Sequence, residues 1–486
     1  MKRKISAILL ISMLASLAAC GDNTEDPVET TTDSASESTA EATMKDILGF
    51  GREDNGNKKF TIYADSNRSY EYDAEESTGD VVSDAVYEKN SAVEDYLGID
   101  FEFRYSPCDW AVLDQFHGTI TNDIMSGTGE IDLVSSVMVC TMPIVSNGYF
   151  LEGKSLEYAD FDHEWWLSGM YDRFSIAGKL YGFLGDASLS LYKDMSVIFF
   201  NKRIWNEFKA PDPYDLVRNN EWTLDKFIEI CSGMSNDLNG DGKYTLEDDQ
   251  LSFLAERVPA GTFQTALELK IVELDKNGTP QYIGLTERFQ TAFEKLQKFY
   301  AGDDMITMYS IDDHTYKTMK TFAEGRVGSM VNFIYSTEYM RDMADDYGIV
   351  PIPKFDENQE KYHAQLGTST TMLFVPVTTK SPELTSKVME SLAYYGNKLV
   401  TPKYYEVALK EKYARDTEIH EMLDLIRDGA ALDFLFVYGT SLKNPPFTYF
   451  RFENKDVNLA SDLAKREEAF TESLKVLTEN IANLEQ

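Results

Sequence analysis

The sequence predicts an α/β fold, a parallel sheet with helices on both faces. Two observations carry that prediction. From Lys59 onward the chain runs strand–helix–strand–helix–strand, the order of a parallel sheet. Further on, two short apolar runs, residues 180–184 and 197–200, are rich in aromatic and β-branched side chains and predict strands. The small polar joint between them, Gly185-Asp186-Ala187-Ser188, can carry the chain from one lobe to another. Two strands of a single sheet fit this stretch equally well.

Phe60-Thr61-Ile62-Tyr63-Ala64 is a strand ending at Asp65. Ala85, Val86, Val93 and Leu97 fall at helical spacing over residues 84–97. Residues 100–105 alternate as a second strand, 120–125 close a second helix, and 131–136 form a third strand. Ligands of such sheets sit beyond the carboxyl ends of the strands, where Asp65, Tyr105, Trp110 and Ser136 fall. Helices are predicted over 222–234, 263–272 and 287–300, and strands over 327–333 and 348–353. The chain is expected to recross over 363–375. Ser381 then caps a helix with Pro382 in its first turn. Amphipathic helices are predicted over 402–413, 418–427 and 460–484. Trp165-Trp166 is expected to begin a helix and pack inward.

The N-terminus predicts export. Lys2-Arg3-Lys4 precedes an apolar run from Ile5 to Ala15 that is too short to span a bilayer. Leu17-Ala18-Ala19-Cys20-Gly21 matches a bacterial lipobox, which predicts a signal peptide over 1–19, diacylglycerol on Cys20, and attachment to the extracytoplasmic face of the cell membrane. Residues 21–44 are dominated by Asp, Glu, Ser, Thr and Ala and hold no Lys, Arg or aromatic residue, so they predict an extended acidic tether reaching to about residue 57. The formal net charge of −36 argues against a nucleic-acid partner. Of the four cysteines, Cys20 is taken by the lipobox. Cys108, Cys140 and Cys231 are expected to be mostly buried and reduced, with a Cys108–Cys140 bridge as the alternative.

The strongest chemical motif is Asp237-Leu238-Asn239-Gly240-Asp241-Gly242-Lys243. Asp237, Asn239 and Asp241 occupy positions 1, 3 and 5 of an EF-hand-like loop, Gly242 the sharp turn, Lys243 the backbone-carbonyl position and Asp248 position 12. Alternating oxygens at that spacing converge on a hard cation, which predicts a structural Ca²⁺. Asp is shorter than the usual bidentate Glu at the last position. The five histidines are scattered, and no hydrolase or phosphate-binding motif is present. Among 82 acidic residues no pair stands out for glycoside hydrolysis.

Four stretches in order resemble the extracellular solute-binding proteins of family 1, the substrate-binding lipoproteins of ABC importers. They are Gly178-Lys179-Leu180-Tyr181-Gly182-Phe183 with Val197-Ile198-Phe199-Phe200-Asn201-Lys202; Glu221-Trp222-Thr223-Leu224; the acidic loop; and Phe322-Ala323-Glu324-Gly325-Arg326 leading to Gly348-Ile349-Val350-Pro351. The resemblance covers roughly residues 58–486. It implies a two-lobed, periplasmic-binding-protein-like fold, each lobe a mainly parallel sheet flanked by helices, joined by a hinge. One lobe is expected over 58–186 and 370–435, the other over 187–369 and 436–486. It further implies a monomer that is not an enzyme, closing on a carbohydrate and delivering it to ABC permease subunits. Asp65, Trp110, Ser136, Asp186, Tyr192 and Tyr335 are the candidate ligand contacts, the rings suiting the apolar faces of sugars. The alternatives are a lipoprotein glycoside hydrolase with paired Asp and Glu, or a static carbohydrate-binding surface module.

Overall fold

The structure is a computed structural model describing residues 44–484 except 77, 110, 257–260, 303–304, 309–313, 406–417 and 444–456. Cys20, the leader, most of the acidic tether, Trp110 and most of the expected helix over 402–413 lie outside the described residues. The chain divides into two compact units, Met1–Gly51 and Arg52–Gln486. In the first, residues 44–48 are helical.

In chain order the large unit begins β1 (Lys58–Asp65), α1 (Val81–Leu97), β2 (Ile99–Ser106), α2 (Leu113–Ser126) and β3 (Leu133–Val137). It continues with β4 (Ser196–Asn201), α3 (Leu224–Cys231), β5 (Leu251–Glu256) and a hairpin of β6 (Val272–Leu274) and β7 (Pro280–Tyr282). Then come α4 (Glu287–Tyr300), β8 (Met305–Met308), α5 (His314–Ala323), β9 (Val327–Phe333) and β10 (Tyr347–Val350). Last are β11 (Ala364–Gln365), β12 (Thr371–Phe374), α6 (Pro382–Tyr395), α7 (Glu418–Asp428), β13 (Ala430–Ala431) and α8 (Leu459–Ala482).

Two principal sheets result. The first has the order β12-β3-β1-β2. Its β1 runs parallel to both β2 and β3, with Asp65 opposite Ser106 and Ala64 opposite Ser135. The second has the order β10-β4-β9-β5-β8 and is mixed: β4 is antiparallel to β9 and β10, whereas β5 is parallel to β8 and β9. The chain leaves the first sheet after β3, enters the second at β4, and returns when β12 pairs antiparallel with β3. That double crossing is the one expected of a two-lobed fold.

Local chemistry explains the elements. Asp80 caps α1, accepting from the backbone N–H groups of Val82 and Ser83. Ser381 caps α6, with Pro382 just inside it. Strands β3, β4 and β9 are buried at every position, as strands covered on both faces are. The edge strand β2 is buried only at its two ends. Helix α1 packs on β2 and α6, α5 on β5 and β9, and α7 on β10.

Some expectations fail for identifiable reasons. Residues 180–184 do not form a strand; within them Phe183 alone pairs, with Leu373 of β12. The run is apolar because it is packed: a Cβ on Gly182 would lie 2.9 Å from the Phe374 ring and 3.0 Å from the Met372 sulfur. The helix expected over 263–272 stops after one turn, Phe263–Ala266, and Val272 opens the β6–β7 hairpin. Trp165 and Trp166 pack inward but lie outside any helix. Both indole N–H groups donate to the buried Glu390 of α6, at 2.9 and 2.8 Å, and His163 Nδ1 lies 2.6 Å from the same carboxylate. Cys108 and Cys140 are joined as a disulfide, their Cα atoms 6.3 Å apart, which overturns the expectation of reduced thiols; Cys231 is free and buried. The spacing of the cysteines carries no sign that β2 and β3 flank the same strand.

Candidate functional site

The carboxyl ends of the strands locate the site. Beyond β1 the chain turns into the 3-10 helix Ser66–Glu71, beyond β9 into Ile334–Tyr339, and one helical turn, Ser190–Lys193, leads into β4. These three segments bring together Arg68, Tyr70, Lys193, Asp194, Tyr335, Glu338 and Tyr339. Arg68 donates from Nε to the Ser369 carbonyl at 3.1 Å and from its other nitrogens to Tyr70 Oη and Asp194 Oδ2, both at 3.4 Å. Lys193 Nζ lies 2.8 Å from Glu338 Oε1 and 4.5 Å from the centre of the Tyr70 ring. Lys193 thus joins a ring of the first sheet's rim to a carboxylate of the second. Tyr335 stacks on Phe333 at 6.0 Å and meets Tyr339 edge-on at 6.5 Å.

Electrostatics follow from partial burial. Burial is the largest influence on Arg68 and opposes its charge, but Asp194, Tyr70, Glu71 and Asp65 together outweigh it and hold the guanidinium above its ordinary value. Burial raises the Asp194 carboxyl, with Arg68 and Lys193 opposing. Tyr70 is raised well above its ordinary value, first by burial and then by Glu71. Each carboxylate of the cluster has its own cation. The arrangement offers aromatic faces and a set of polar donors and acceptors, which is the chemistry of capture.

The candidates read from sequence fall in different places. Tyr335 stands in this cluster, half-buried. Tyr192 lies on the Ser190–Lys193 turn but is buried, its hydroxyl donating to Asp186 Oδ1 at 2.6 Å. Asn397 donates to the other Asp186 oxygen at 2.6 Å. Asp65 is buried, and its Oδ1 accepts from the backbone N–H groups of Asn67 at 3.0 Å and Cys108 at 3.2 Å. Ser136 is fully buried and hydrogen-bonded to Thr141. Arg68, Tyr70, Lys193, Asp194, Glu338 and Tyr339 were missed. Arg68 and Tyr70 lie within a few residues of the carboxyl end of β1, a position that could have flagged them. The ion pairs join residues distant in sequence and leave no pattern.

The acidic loop adopts a tight turn. Asp237 accepts from Gly240 N at 2.6 Å and Gly242 N at 2.8 Å, Asn239 from Asp241 N at 2.8 Å, and Asp241 from Lys243 N at 2.8 Å. Gly240 and Gly242 take φ of +76° and +80°, which favours glycine. Thr245 first and Asn239 second donate to Asp248 and hold its carboxyl below the ordinary value. The donor types and the turn suit calcium. These oxygens bind the loop's own hydrogen-bond donors, and among the described residues no three His, Cys, Asp or Glu side chains stand together as a metal site.

The family described as "Bacterial extracellular solute-binding protein" matches residues 100–405. The chain belongs to that family. No curated protein matches it. Among solved structures, this solute-binding protein is similar to the galacto-N-biose-/lacto-N-biose I-binding protein of the ABC transporter from Bifidobacterium longum in complex with lacto-N-biose. The TM-score is 0.57 at 15% identity, covering 87% of this chain and 98% of the other. A cyclo/maltodextrin-binding protein complexed with maltotetraose gives 0.51 at 16% identity, covering 88% and 98%. An ABC substrate-binding protein from Listeria monocytogenes in complex with cycloalternan gives 0.50 at 11%, covering 88% and 99%. At such identities the likeness is one of fold. Among the described residues no helix is long and apolar enough to cross a membrane.

One pH dependence follows from Asp186. Burial pushes its carboxyl from an ordinary 3.8 up to about 6, against the Tyr192 and Asn397 hydrogen bonds. Between those two values the folded protein holds a proton that the unfolded chain has lost. The stability Asp186 contributes is therefore greatest below about pH 4 and is lost as pH rises through 6, by roughly 1–3 kcal/mol. Urea unfolding of wild type and Asp186→Asn, compared from pH 4 to 7, should show a difference that changes in that window. A constant difference would mean the carboxyl titrates normally.

Proposed function

We propose that this solute-binding protein captures a neutral sugar or oligosaccharide between its two sheets, without turning it over, and delivers it to an ABC importer. The observation that carries this reading is the cluster joining Arg68 and Tyr70 to Lys193 and to Tyr335, Glu338 and Tyr339. The three similar structures are each named with a bound saccharide, which supports the ligand class. Flat rings cover the apolar faces of pyranoses, and paired charges exchange hydrogen bonds with hydroxyls at little cost in net charge. On this reading the protein is a monomer held to the extracytoplasmic membrane face by lipid on Cys20. Cys20→Ala should move it from the membrane to the soluble fraction or leave its leader uncleaved; normal processing with retention on the membrane would refute the anchor.

Calorimetry against neutral mono- and oligosaccharides, lacto-N-biose and maltotetraose among them, should find a ligand. Tyr335→Ala should weaken that ligand at least about tenfold, or ~1.4 kcal/mol, the sum of lost ring contact and lost burial. Scattering should show a more compact particle once the ligand is added. Cleavage products in the mixture would favour a glycoside hydrolase, and tight binding without compaction a static module.

We also propose that the acidic loop takes Ca²⁺ through Asp237, Asn239, Asp241, the Lys243 carbonyl and Asp248, as a structural ion. Bound only by the folded state, the ion would stabilise it by about 2.7 kcal/mol at 100 times its dissociation constant. A chelator should lower the melting temperature of wild type and leave Asp241→Ala unmoved. An unchanged melting temperature, with no calcium in elemental analysis, would leave an acidic turn.

A further inference from the structure

The disulfide lies at the rim of the same site. Cys108 follows the carboxyl end of β2, and Cys140 sits on the short helix Met138–Thr141 that follows β3. In the sheet, β1 lies between those two strands, so the bridge spans the end of β1. Asp65, the last residue of β1, accepts from the Cys108 N–H with the same oxygen that caps Ser66–Glu71. From that 3-10 helix Asn67 donates to Asp109 Oδ1 at 3.3 Å. Cys140 is held in turn, its carbonyl 2.7 Å from His117 Nε2. Val112, the residue before α2, makes no side-chain cap hydrogen bond, and its N–H donates to the Asp109 carbonyl at 2.9 Å. Both cysteines are buried, whereas Asp109 and Ala111 are exposed.

We propose that the Cys108–Cys140 disulfide is the positioning group of the ligand site: it holds the loop after β2 so that Asp109, braced by Asn67 next to Arg68, accepts hydrogen bonds from ligand hydroxyls. This rests on the sugar-binding reading above. The bridge acts through the loop, and Asp109 is the contact. A cross-link whose sequence separation is only 32 residues restricts a short stretch of chain, which suits the fixing of one rim.

The test compares oxidised wild type, reduced wild type, Cys108→Ser/Cys140→Ser and Asp109→Asn. Calorimetry uses lacto-N-biose and maltotetraose as probes, and hydrogen exchange follows the amides of Cys108, Asp109, Ala111 and Val112. Removing the bridge should speed exchange of those amides at least about tenfold, leave the amides of β1 and β3 unchanged, and weaken the bound probe about tenfold. Reoxidation should restore both in wild type only. Asp109→Asn, with the disulfide intact, should weaken binding and leave exchange as it was. Unchanged loop exchange, exchange raised equally across the sheet, or full affinity in Asp109→Asn would each overturn the proposal. Should neither probe bind oxidised wild type, the sugar reading fails for these two ligands, and the exchange data still decide whether the bridge fixes the loop.

Discussion

One helical turn, Ser190–Lys193, ties the two sheets together. The Ser190 N–H donates to the buried Glu71 carboxylate at 2.8 Å, and the Ser190 hydroxyl accepts from Thr371 N at 2.9 Å, at the start of β12. Lys193 pairs with Glu338 and Asp194 with Arg68. The Asp194 carbonyl accepts from Gly367 N on the returning segment, and the next carbonyl, of Met195, accepts from Ile334 N beyond β9. Three distant parts of the chain, residues 68–71, 334–338 and 367–371, therefore meet on six consecutive residues. The buried Lys89 supports the same place, donating to the Glu71 and Ala187 carbonyls, and burial pulls its pKa down to about 8. The Lys89 ammonium is tolerated this deep because the two carbonyls meet it.

The fold was legible where local chemistry decides it. Helix α4 was read at its observed bounds because Phe289, Phe293, Leu296 and Tyr300 repeat at helical spacing. Strand β9 was as plain, being apolar or small at nearly every position. Reading failed where burial has no period. Residues 180–184 are apolar because Met142, Met372 and Phe374 surround Gly182, a constraint that sequence neighbours cannot report. The segment over 263–272 fails similarly, since Glu268 takes a positive φ of 55° and ends the helical run.

The site was legible in position and mostly illegible in membership. The rule that ligands sit past strand ends led to Asp65 and Ser136, which are at the rim but buried in it as supports. Asp65 fastens the loop that holds Asp109. Tyr192 and Asp186 satisfy one another beside the Ser190–Lys193 turn. The half-buried residues of the cluster, Arg68, Lys193 and Glu338, are of the types found on any solvated surface. Only tertiary pairing, across 126 residues for Arg68 with Asp194, sets them apart.

The charge pattern of the cluster bears on the ligand. In a chain of net charge −36, the two cations beside the strand ends are each matched with a carboxylate. An anionic ligand would have to compete with Asp194 or Glu338 for a cation already paired, and a cationic ligand would face the converse. Either exchange leaves a partly buried charge without its partner, which is costly in such surroundings. A neutral polyhydroxylated ligand can add hydrogen bonds to both pairs while they stay intact. Tyr70 lies against Lys193, and Tyr335 and Tyr339 belong to the segment that carries Glu338, so rings and polar groups alternate. That alternation suits a sugar, whose ring presents an apolar face bordered by hydroxyls.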